Sequence, residues 1–232
     1  MNCTDLQKEL RAISNPAIAE HSQRFFKTGP GEYGEGDLFL GIRVPDLRKM
    51  AKKFNELSID EAEQLLHSPY HEERLCALFI LINHFRQSDT EERRKIYDLY
   101  LSNTNLINNW DLVDSSAEHI IGAYLMDKDP EVLYRLARSK LIWERRIAVM
   151  STFHFIKAGK FNVTLDLAEK LLSDKEDLIH KAVGWMLREV GKRNPEITEN
   201  FLDRYVDIMP RTMLRYAIEK FPEEKRKQYL DK

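Results

Sequence analysis

Three tryptophans, the only ones in the chain, each lie close to charged residues in the sequence. Residues three or four positions apart share one face of a helix. The pairs that this spacing would form are Trp110 with Asp114, Trp143 with Arg146, and Trp185 with Lys181 and Arg188. Indole planes, cationic side chains and one carboxylate together would suit a cationic base carried in an anionic polymer. The alternative is that the tryptophans are core residues with solvated charges nearby, because tryptophan is highly buried on average.

The composition is that of a soluble, helical protein. The chain has 232 residues, of which 43% are hydrophobic and 32% charged, and only 9 are glycine and 8 proline. Few turn formers favour an all-α fold. No apolar run reaches the roughly 18 residues that a membrane span needs, and no signal peptide is visible. Cys3 and Cys76 give no disulfide framework, so we expect a cytoplasmic protein that does not enter a membrane.

The net charge of −2 and the sequence pI of about 6.4 are not typical of a nucleic-acid-binding protein. The distribution of charge is more informative than its total. Residues 88–130 hold nine acidic and four basic side chains, whereas residues 131–160 hold two acidic and seven basic ones. The second segment therefore predicts a local basic face, which would bind a polyanion with a strong dependence on salt.

Helix start signals recur at intervals of roughly 30–40 residues, the range of HEAT-like helical repeats. First helices are predicted to begin near Ser58, Thr90, Pro130, Asn162 and Pro195. Ser58 and Glu61 fit a capping box, and Asp129 and Asn194 each precede a proline that would begin a helix. The pattern predicts stacked helix pairs in a single domain over residues 1–232.

A second helix follows each start and carries apolar residues at helical spacing. The predicted second helices cover residues 71–85, 112–125, 143–156, 178–190 and 211–221. Each has a polar residue near its first turns, and these are Arg74, Asp114, Arg146, Lys181 and Arg215. Because second helices line the concave side of a helical solenoid, we expect the five side chains to project into one groove.

The N-terminal segment departs from this repeat. A helix is predicted over residues 5–26 with a break at Asn15–Pro16, and another follows up to about Leu57. The glycine-rich segment 29–37 lies between them. It lacks the Gly-Lys-Ser/Thr sequence and the flanking strand of a phosphate-binding loop, so we expect no nucleotide site there.

Four segments carry a family likeness. They are residues 39–45 (Phe-Leu-Gly-Ile-Arg-Val-Pro), 110–114 (Trp-Asp-Leu-Val-Asp), 142–146 (Ile-Trp-Glu-Arg-Arg) and 181–189 (Lys-Ala-Val-Gly-Trp-Met-Leu-Arg-Glu). In this order and spacing they resemble the bacterial DNA alkylation repair family, the AlkD-type alkylpurine DNA glycosylases. No single segment is specific, but the ordered set extends the likeness from about residue 5 to about residue 222. The resemblance implies an all-α stack of HEAT-like repeats curved around duplex DNA.

The resemblance also implies an activity. Relatives of this kind hydrolyse the N-glycosidic bond of purines alkylated at N3 or N7, without a metal or an organic cofactor. They work at the deoxyribose from the groove and leave the lesion in the stack. The positions that match catalytic ones are Trp110, Asp114, Arg146 and Trp185. Arg188 and Lys192 match positions that bind the DNA backbone, and Lys181 joins them on the Trp185 face. We therefore expect a monomeric enzyme whose partner is double-stranded DNA with alkylated purines.

Two features depart from the family pattern. Val44 stands where relatives have a small polar residue that can touch a phosphate, and the glycine-rich segment 29–37 is additional. Both would alter the edge of the DNA footprint. Some relatives bind DNA weakly or lack excision activity, so the alternative function is a non-catalytic HEAT-like module that binds DNA or protein. No lysine occupies the matched catalytic positions, which disfavours a lyase.

The implied reaction needs one well-placed carboxylate. A purine alkylated at N3 or N7 is already cationic, so its departure needs no general acid of the kind that glycoside hydrolases use. Asp114 is the candidate for stabilising the oxocarbenium-like sugar and orienting a water. The faces of Trp110 and Trp185 would stabilise developing positive charge. Arg146 would clamp the phosphate next to the lesion.

Several further residues have structural expectations. Asp111 should be a solvated or structural acid, and Trp143 and Cys76 should lie in the core. Arg145 has no assigned role. The seven histidines show no metal-ligand spacing, so we expect no metal site.

Overall fold

The protein, seen here in a computed structural model, consists of helices joined by turns and loops over the described residues 2–231. β-Structure in that range is confined to one isolated bridge between Leu38 and Tyr70. The predicted all-α fold is therefore confirmed. None of the described helices is long and apolar enough to cross a lipid bilayer.

The chain divides into two compact units, residues 1–116 and residues 117–232. The single domain expected over residues 1–232 stays a prediction. The helices of the first unit are α1 (Cys3–Ala12), α2 (Pro16–Phe25), α3 (Val44–Lys53), α4 (Ile59–Leu66), α5 (His71–Gln87), α6 (Thr90–Ser102) and α7 (Trp110–Ala117).

The second unit continues with helices of the predicted repeat. They are a π-helical segment (Glu118–Gly122), α8 (Ala123–Leu125), α9 (Glu131–Leu136), α10 (Ile142–Lys157), α11 (Asn162–Lys170), α12 (Asp177–Gly191), α13 (Pro195–Tyr205), α14 (Arg211–Ala217) and α15 (Glu223–Leu230). Helix α15 lies beyond the last predicted helix, and α14 ends earlier than the predicted residue 221.

Several predicted start signals act as expected. The Asn15 side chain accepts from the amide of Ile18 and divides the N-terminal helix into α1 and α2. Ser58 and Glu61 form the complete capping box of α4. The Asp129–Pro130 start is shifted by one residue, because α9 begins at Glu131 and Asp129 accepts the amide of that residue. Each cap satisfies amides that the first helical turn leaves without a partner.

Packing differs between the two units. In the first unit, α5 lies against α3, α4 and α6, and its residues are buried on nearly every side. In the second unit, α10 packs against α12, and α12 packs against α14. The first helices lie against these second helices: α9 packs on α10, α11 on α10 and α12, and α13 on α12. This side-by-side arrangement of second helices confirms the helical-repeat fold.

The predicted helix over residues 112–125 is interrupted by the π-helical segment. Gly122 closes this segment beside the backbone carbonyl of Ser151 on α10, where a Cβ atom would overlap that oxygen. A π turn widens the helix locally, and such segments often occur at functional sites. The apolar pattern alone gave no signal of it.

Candidate functional site

Four consecutive polar residues, His71 to Arg74, open helix α5 and are all buried. Buried charges are costly unless they are paired and hydrogen-bonded. Each of the four therefore has partners from other parts of the first unit. The run forms a charged cluster that ties the start of α5 to α1, to segment 37–42 and to the start of α7.

Glu72 explains the shape of the segment 39–45. Its carboxylate accepts the backbone amides of Leu40 at 2.8 Å, Gly41 at 2.7 Å and Ile42 at 3.2 Å. Gly41 has a φ of +78°, and a Cβ atom there would overlap the backbone of Asn15. Glycine is thus required for both conformation and space. Gly41 thus allows the start of α2 to pack closely on the segment that the buried Glu72 carboxylate binds.

Arg74 was expected to project into the groove, and that expectation is wrong. The residue is only 4% exposed. Its guanidinium donates to Asp37 at 2.6 Å, to Asn108 at 3.0 Å and to the carbonyl of Ser68 at 3.0 Å. The physical reason is that α5 is surrounded by other helices, so its first turn has no open face on which a cation can reach solvent.

His71 lies between two carboxylates in the same cluster. Its Nδ1 is 3.1 Å from Asp37 and its Nε2 is 2.8 Å from Asp111. Burial alone would lower the pKa of His71, but the charge and hydrogen bond of Asp111 and the bond to Asp37 outweigh it and raise the pKa to about 9. Asp111 is therefore a structural acid, one of the two roles expected for it.

Trp110 begins α7 and is half-buried. Its ring stacks on Phe26 with a centroid distance of 5.1 Å and an interplanar angle of 22°. Phe26 in turn stacks on Phe39 and lies 5.0 Å from the His71 ring. Phe25 meets the indole edge-on and is 56% exposed. One face of the indole is thus fixed by a row of stacked rings.

Asp114 lies one turn after Trp110 on α7, on the same helical face, and is half-buried. It is close enough to the buried Tyr100 that its charge adds to burial in raising the pKa of that phenol. Tyr100 itself is hydrogen-bonded to Ser116 at 2.8 Å. An aspartate on the border between core and solvent can present a negative charge in a medium of lowered dielectric, where it acts more strongly than in water.

In the second unit, α10 carries Trp143, Arg145 and Arg146. Trp143 is buried in the core, as expected. Arg145 is ion-paired with Asp174 at 2.7 Å. Arg146 is only 5% exposed, and its Nη1 donates to the carbonyl of Leu178 at 2.5 Å. This arginine fastens α10 to the first turn of α12, and its expected phosphate contact stays a prediction.

Trp185, on α12, is half-buried and lies 6.2 Å from the ring of Phe153. Its indole N–H is hydrogen-bonded to the buried Glu189, one turn later. Burial alone would raise the pKa of that carboxyl, but hydrogen bonds from Lys192, Arg193 and the indole outweigh burial and lower the pKa. Glu189 thus orients the indole and two cations.

The three cations expected to bind the DNA backbone all have carboxylate partners. Lys181 is paired with Asp177 at 2.7 Å, Lys192 with Glu189 at 2.6 Å, and Arg188 with Glu219. A phosphate would have to compete with these carboxylates. Arg215, the fifth groove candidate, is exposed on α14.

The structure thus brings together two sets of expected residues, each within its own unit. Trp110 and Asp114 share a face of α7, and Arg146, Lys181, Trp185, Arg188 and Lys192 lie on or beside α10 and α12. Their convergence on a single surface stays a prediction. The sequence argument missed His71, Glu72 and Glu189. Four polar residues opening an otherwise apolar helix were the available signal for the first two.

Two remaining expectations concern cysteine and metal. Cys76 is buried in the core, as expected. Within residues 2–231 no group of three or more His, Cys, Asp or Glu side chains is arranged to hold a metal ion.

Comparison with known proteins gives the following likenesses. A family model described as DNA alkylation repair enzyme matches residues 6–221. The structure of a predicted DNA alkylation repair enzyme from Enterococcus faecalis is 17% identical and has a TM-score of 0.71, and the match covers 90% of this chain and 97% of that chain. The structure of AlkD2 from Streptococcus mutans is 14% identical, with a TM-score of 0.56 and coverages of 95% and 97%.

A third structure, smu.31 from Streptococcus mutans UA159, is 13% identical, with a TM-score of 0.55 and coverages of 95% and 99%. No curated protein sequence matches the chain. At these identities the structural likenesses show the fold, and the family model carries the assignment to a family.

Proposed function

We propose that this chain, which belongs to the DNA alkylation repair enzymes, is a DNA glycosylase for cationic N3- and N7-alkylated purines in duplex DNA. The observation that carries the proposal is the pairing of Trp110 and Asp114 one turn apart on α7, with the indole held on a ring stack and the carboxylate half-buried. An indole face and a carboxylate on one helical face match the needs of a sugar that becomes positively charged.

The reaction breaks the bond between C1′ of the deoxyribose and the purine nitrogen. The bonding electrons leave with the base, which loses its positive charge and departs as a neutral purine. The sugar becomes oxocarbenium-like, and a water oxygen then bonds to C1′ and releases a proton to solvent. Asp114 stabilises the developing cation and orients this water. Preorganised charge of this kind typically contributes a few kcal/mol.

The remaining residues act on the sugar and on the backbone. The indole faces of Trp110 and Trp185 add cation–π stabilisation of roughly 0.5–2 kcal/mol each. Arg146, Arg188, Lys192 and Lys181 bind phosphates, so DNA affinity depends more on salt than on sequence. The enzyme works as a cytoplasmic monomer, without metal or cofactor, and leaves the lesion in the stack.

The test is incubation with a duplex that carries one 7-methylguanine, followed by measurement of the released base. A duplex with guanine at that position is the matched control. Release from the methylated duplex alone, with strand cleavage only after alkali, supports a monofunctional glycosylase. Binding without release would contradict the proposal.

A second function is favoured by two observations. Lys181, Arg188 and Lys192 are each held by a carboxylate, and the sequence pI is about 6.4. Both features weaken attraction to DNA, as expected for a non-catalytic helical-repeat module with another partner. Absence of base release together with absence of salt-dependent DNA binding would select this function.

A further inference from the structure

Two independent routes connect Trp110 to the same buried residue. The indole stacks on Phe26, whose ring lies 5.0 Å from that of His71. The residue next to the tryptophan, Asp111, is 2.8 Å from the Nε2 of His71. One route fixes the plane of the indole, and the other fixes the backbone from which it projects.

We propose that His71 is a positioning residue for the reaction. As a buried imidazolium between Asp37 and Asp111, it fixes the start of α7 and thereby the indole of Trp110 and the direction of Asp114. The effect on excision rests on the proposed function. The effect on the geometry of α7 does not, because it follows from contacts within the first unit.

The geometry requires the charged form of the imidazole. A neutral imidazole donates from one nitrogen and accepts at the other, whereas an imidazolium donates from both. Each ring nitrogen of His71 lies within 3.1 Å of a carboxylate oxygen. A neutral ring would leave one carboxylate oxygen facing the lone pair of the unprotonated ring nitrogen, and the two would repel each other. Protonation is thus part of the structure of the cluster.

The charges around the ring come from three segments. Asp37 faces it from the segment before α3, Asp111 from α7, and Arg74 from α5 itself. Glu72 adjoins it on α5 but is bound to the amides of residues 40–42. The rings of Phe26 and Phe39 pack on the imidazole and exclude water from it. The two carboxylates outweigh the one guanidinium, so the imidazole of His71 stays protonated.

A pH dependence follows. The pKa of His71 is raised to about 9 from its ordinary value of 6.5. A raised pKa means that protonation stabilises the folded state, fully so below the unfolded pKa. That stabilisation is lost as the pH rises through about 9. Above this pH, Asp111 loses a charged donor, and the start of α7 is released from α5.

The geometric test uses the emission of Trp110. Replacing Trp143 and Trp185 with Phe leaves Trp110 as the remaining indole. We expect its emission to shift to longer wavelength as the pH rises from about 6.5 through about 9, and the shift to vanish in His71→Gln. The matched control is His84→Gln, the same change on the same helix, at a half-buried histidine hydrogen-bonded to the carbonyl of Asn55. That control should keep the transition.

The functional test is single-turnover excision from the 7-methylguanine duplex, in the chain with all three tryptophans. His71→Gln should lower the excision rate roughly ten- to a hundred-fold, because small misplacements of reacting groups have effects of this size. DNA affinity should stay within about twofold, since it depends on phosphate contacts. His84→Gln should leave the excision rate unchanged.

The outcomes separate the two proposals. Emission that is independent of pH, or equal transitions in the His71 and His84 variants, would overturn the positioning role. If His71→Gln does not fold, Asp111→Asn serves instead and should move the transition to lower pH, because the main charge that raises the pKa is removed. If Asp111→Asn leaves the pH of the emission transition unchanged, the positioning role of His71 is overturned. If the wild-type chain releases no base but the single-tryptophan variant shows the transition, only the proposed function fails.

Discussion

The two candidate tryptophans are held in different ways in the two units of the chain. Trp110 rests on a row of rings that ends in the cluster of Asp37, His71 and Arg74, whose side chains are 2–4% exposed. The indole N–H of Trp185 is hydrogen-bonded to Glu189. Glu189 is buried, and it also forms ion pairs with the partly exposed cations Lys192 and Arg193. Trp110 is therefore held by a network of buried ion pairs, whereas Trp185 is held by ion pairs that are partly exposed to solvent.

This difference separates two kinds of electrostatics. Charges in a dry network are hardly screened by salt, and their positions are fixed before any ligand arrives. Pairs at the surface are worth about 0–1 kcal/mol and can exchange partners. The first unit is therefore suited to a preorganised carboxylate and indole, and the second to phosphate contacts that form by exchange with carboxylates.

The two anchors also respond to pH in opposite directions. The raised pKa of His71 means that its contribution to stability is lost as the pH rises through about 9. The lowered pKa of Glu189 means that its contribution is present above the ordinary value of 4.5 and lost as the pH falls through the lower, folded-state pKa. The contacts that hold Trp110 should thus weaken at alkaline pH, and the contacts that hold Trp185 should weaken at acidic pH.

The largest expected effect concerns stability. Arg74→Leu leaves Asp37 buried without its guanidinium, which should lower the free energy of unfolding by about 3–5 kcal/mol. The matched change in the second unit is Arg188→Leu, whose pair with Glu219 has side chains 16% and 45% exposed. It should lower that free energy by about 1 kcal/mol or less. Urea denaturation followed by circular dichroism measures both, and equal losses would contradict the contrast.

The second effect concerns chemistry. Asp114→Asn should lower single-turnover excision of 7-methylguanine by roughly 100-fold or more, because the amide keeps the size of the acid but lacks its charge. DNA affinity should not change. The control Asp98→Asn removes an exposed acid of the same unit, paired with Arg94, and should leave the rate intact. A rate of Asp114→Asn within about threefold of wild type would remove Asp114 from catalysis.

The fold could be predicted from the sequence because its signals are local. The apolar period and the caps at Asn15, Ser58 and Asn194 involve residues within a few positions of one another. The π-helical segment was missed, since it depends on the fit of Gly122 against α10.

The site was only partly predictable. Spacing predicted that Trp110 and Asp114 share a helical face, as they do on α7, and their catalytic roles stay predictions. The cluster behind them joins residues 34 and 40 positions apart. Such pairs exist only once α5 and α7 are packed. Arg74 was misjudged for the same reason, because position on a helix does not tell how many neighbours surround that helix. Glu219, which holds Arg188 from 31 positions away, could not be predicted either. The pair of Glu189 and Lys192 could have been, because the two residues are three positions apart on a helix.

The third effect concerns binding through the second unit. Arg188→Ala should weaken binding to all duplexes about equally, by roughly tenfold at low salt, and reduce the slope of affinity against salt by about one unit. The control is Arg204→Ala, an exposed arginine on α13, which should change neither quantity. Fluorescence anisotropy with several duplex sequences over a range of salt gives both. A loss confined to one sequence would show that Arg188 reads bases.

The smallest expected effect is a gain. Glu219 holds Arg188 in the free protein, so a phosphate must displace a carboxylate before it can bind. Glu219→Gln removes that competition and should strengthen binding to every duplex by about threefold, in line with the modest worth of a partly exposed pair. Glu223→Gln is the control, because it removes an exposed acid paired with Lys227 on α15. It should have no effect.

Removing any acid near DNA also lessens repulsion, so the gain must be traced to Arg188. In an Arg188→Ala background, Glu219→Gln should no longer strengthen binding, because there is no guanidinium to release. A double-mutant cycle measures this coupling. If the gain persists without Arg188, Glu219 acts through its charge or through its second partner Lys220, 3.1 Å away, and the exchange of partners inferred for Arg188 is wrong. If the gain disappears, Arg188 binds DNA by leaving the carboxylate that holds it in the free protein.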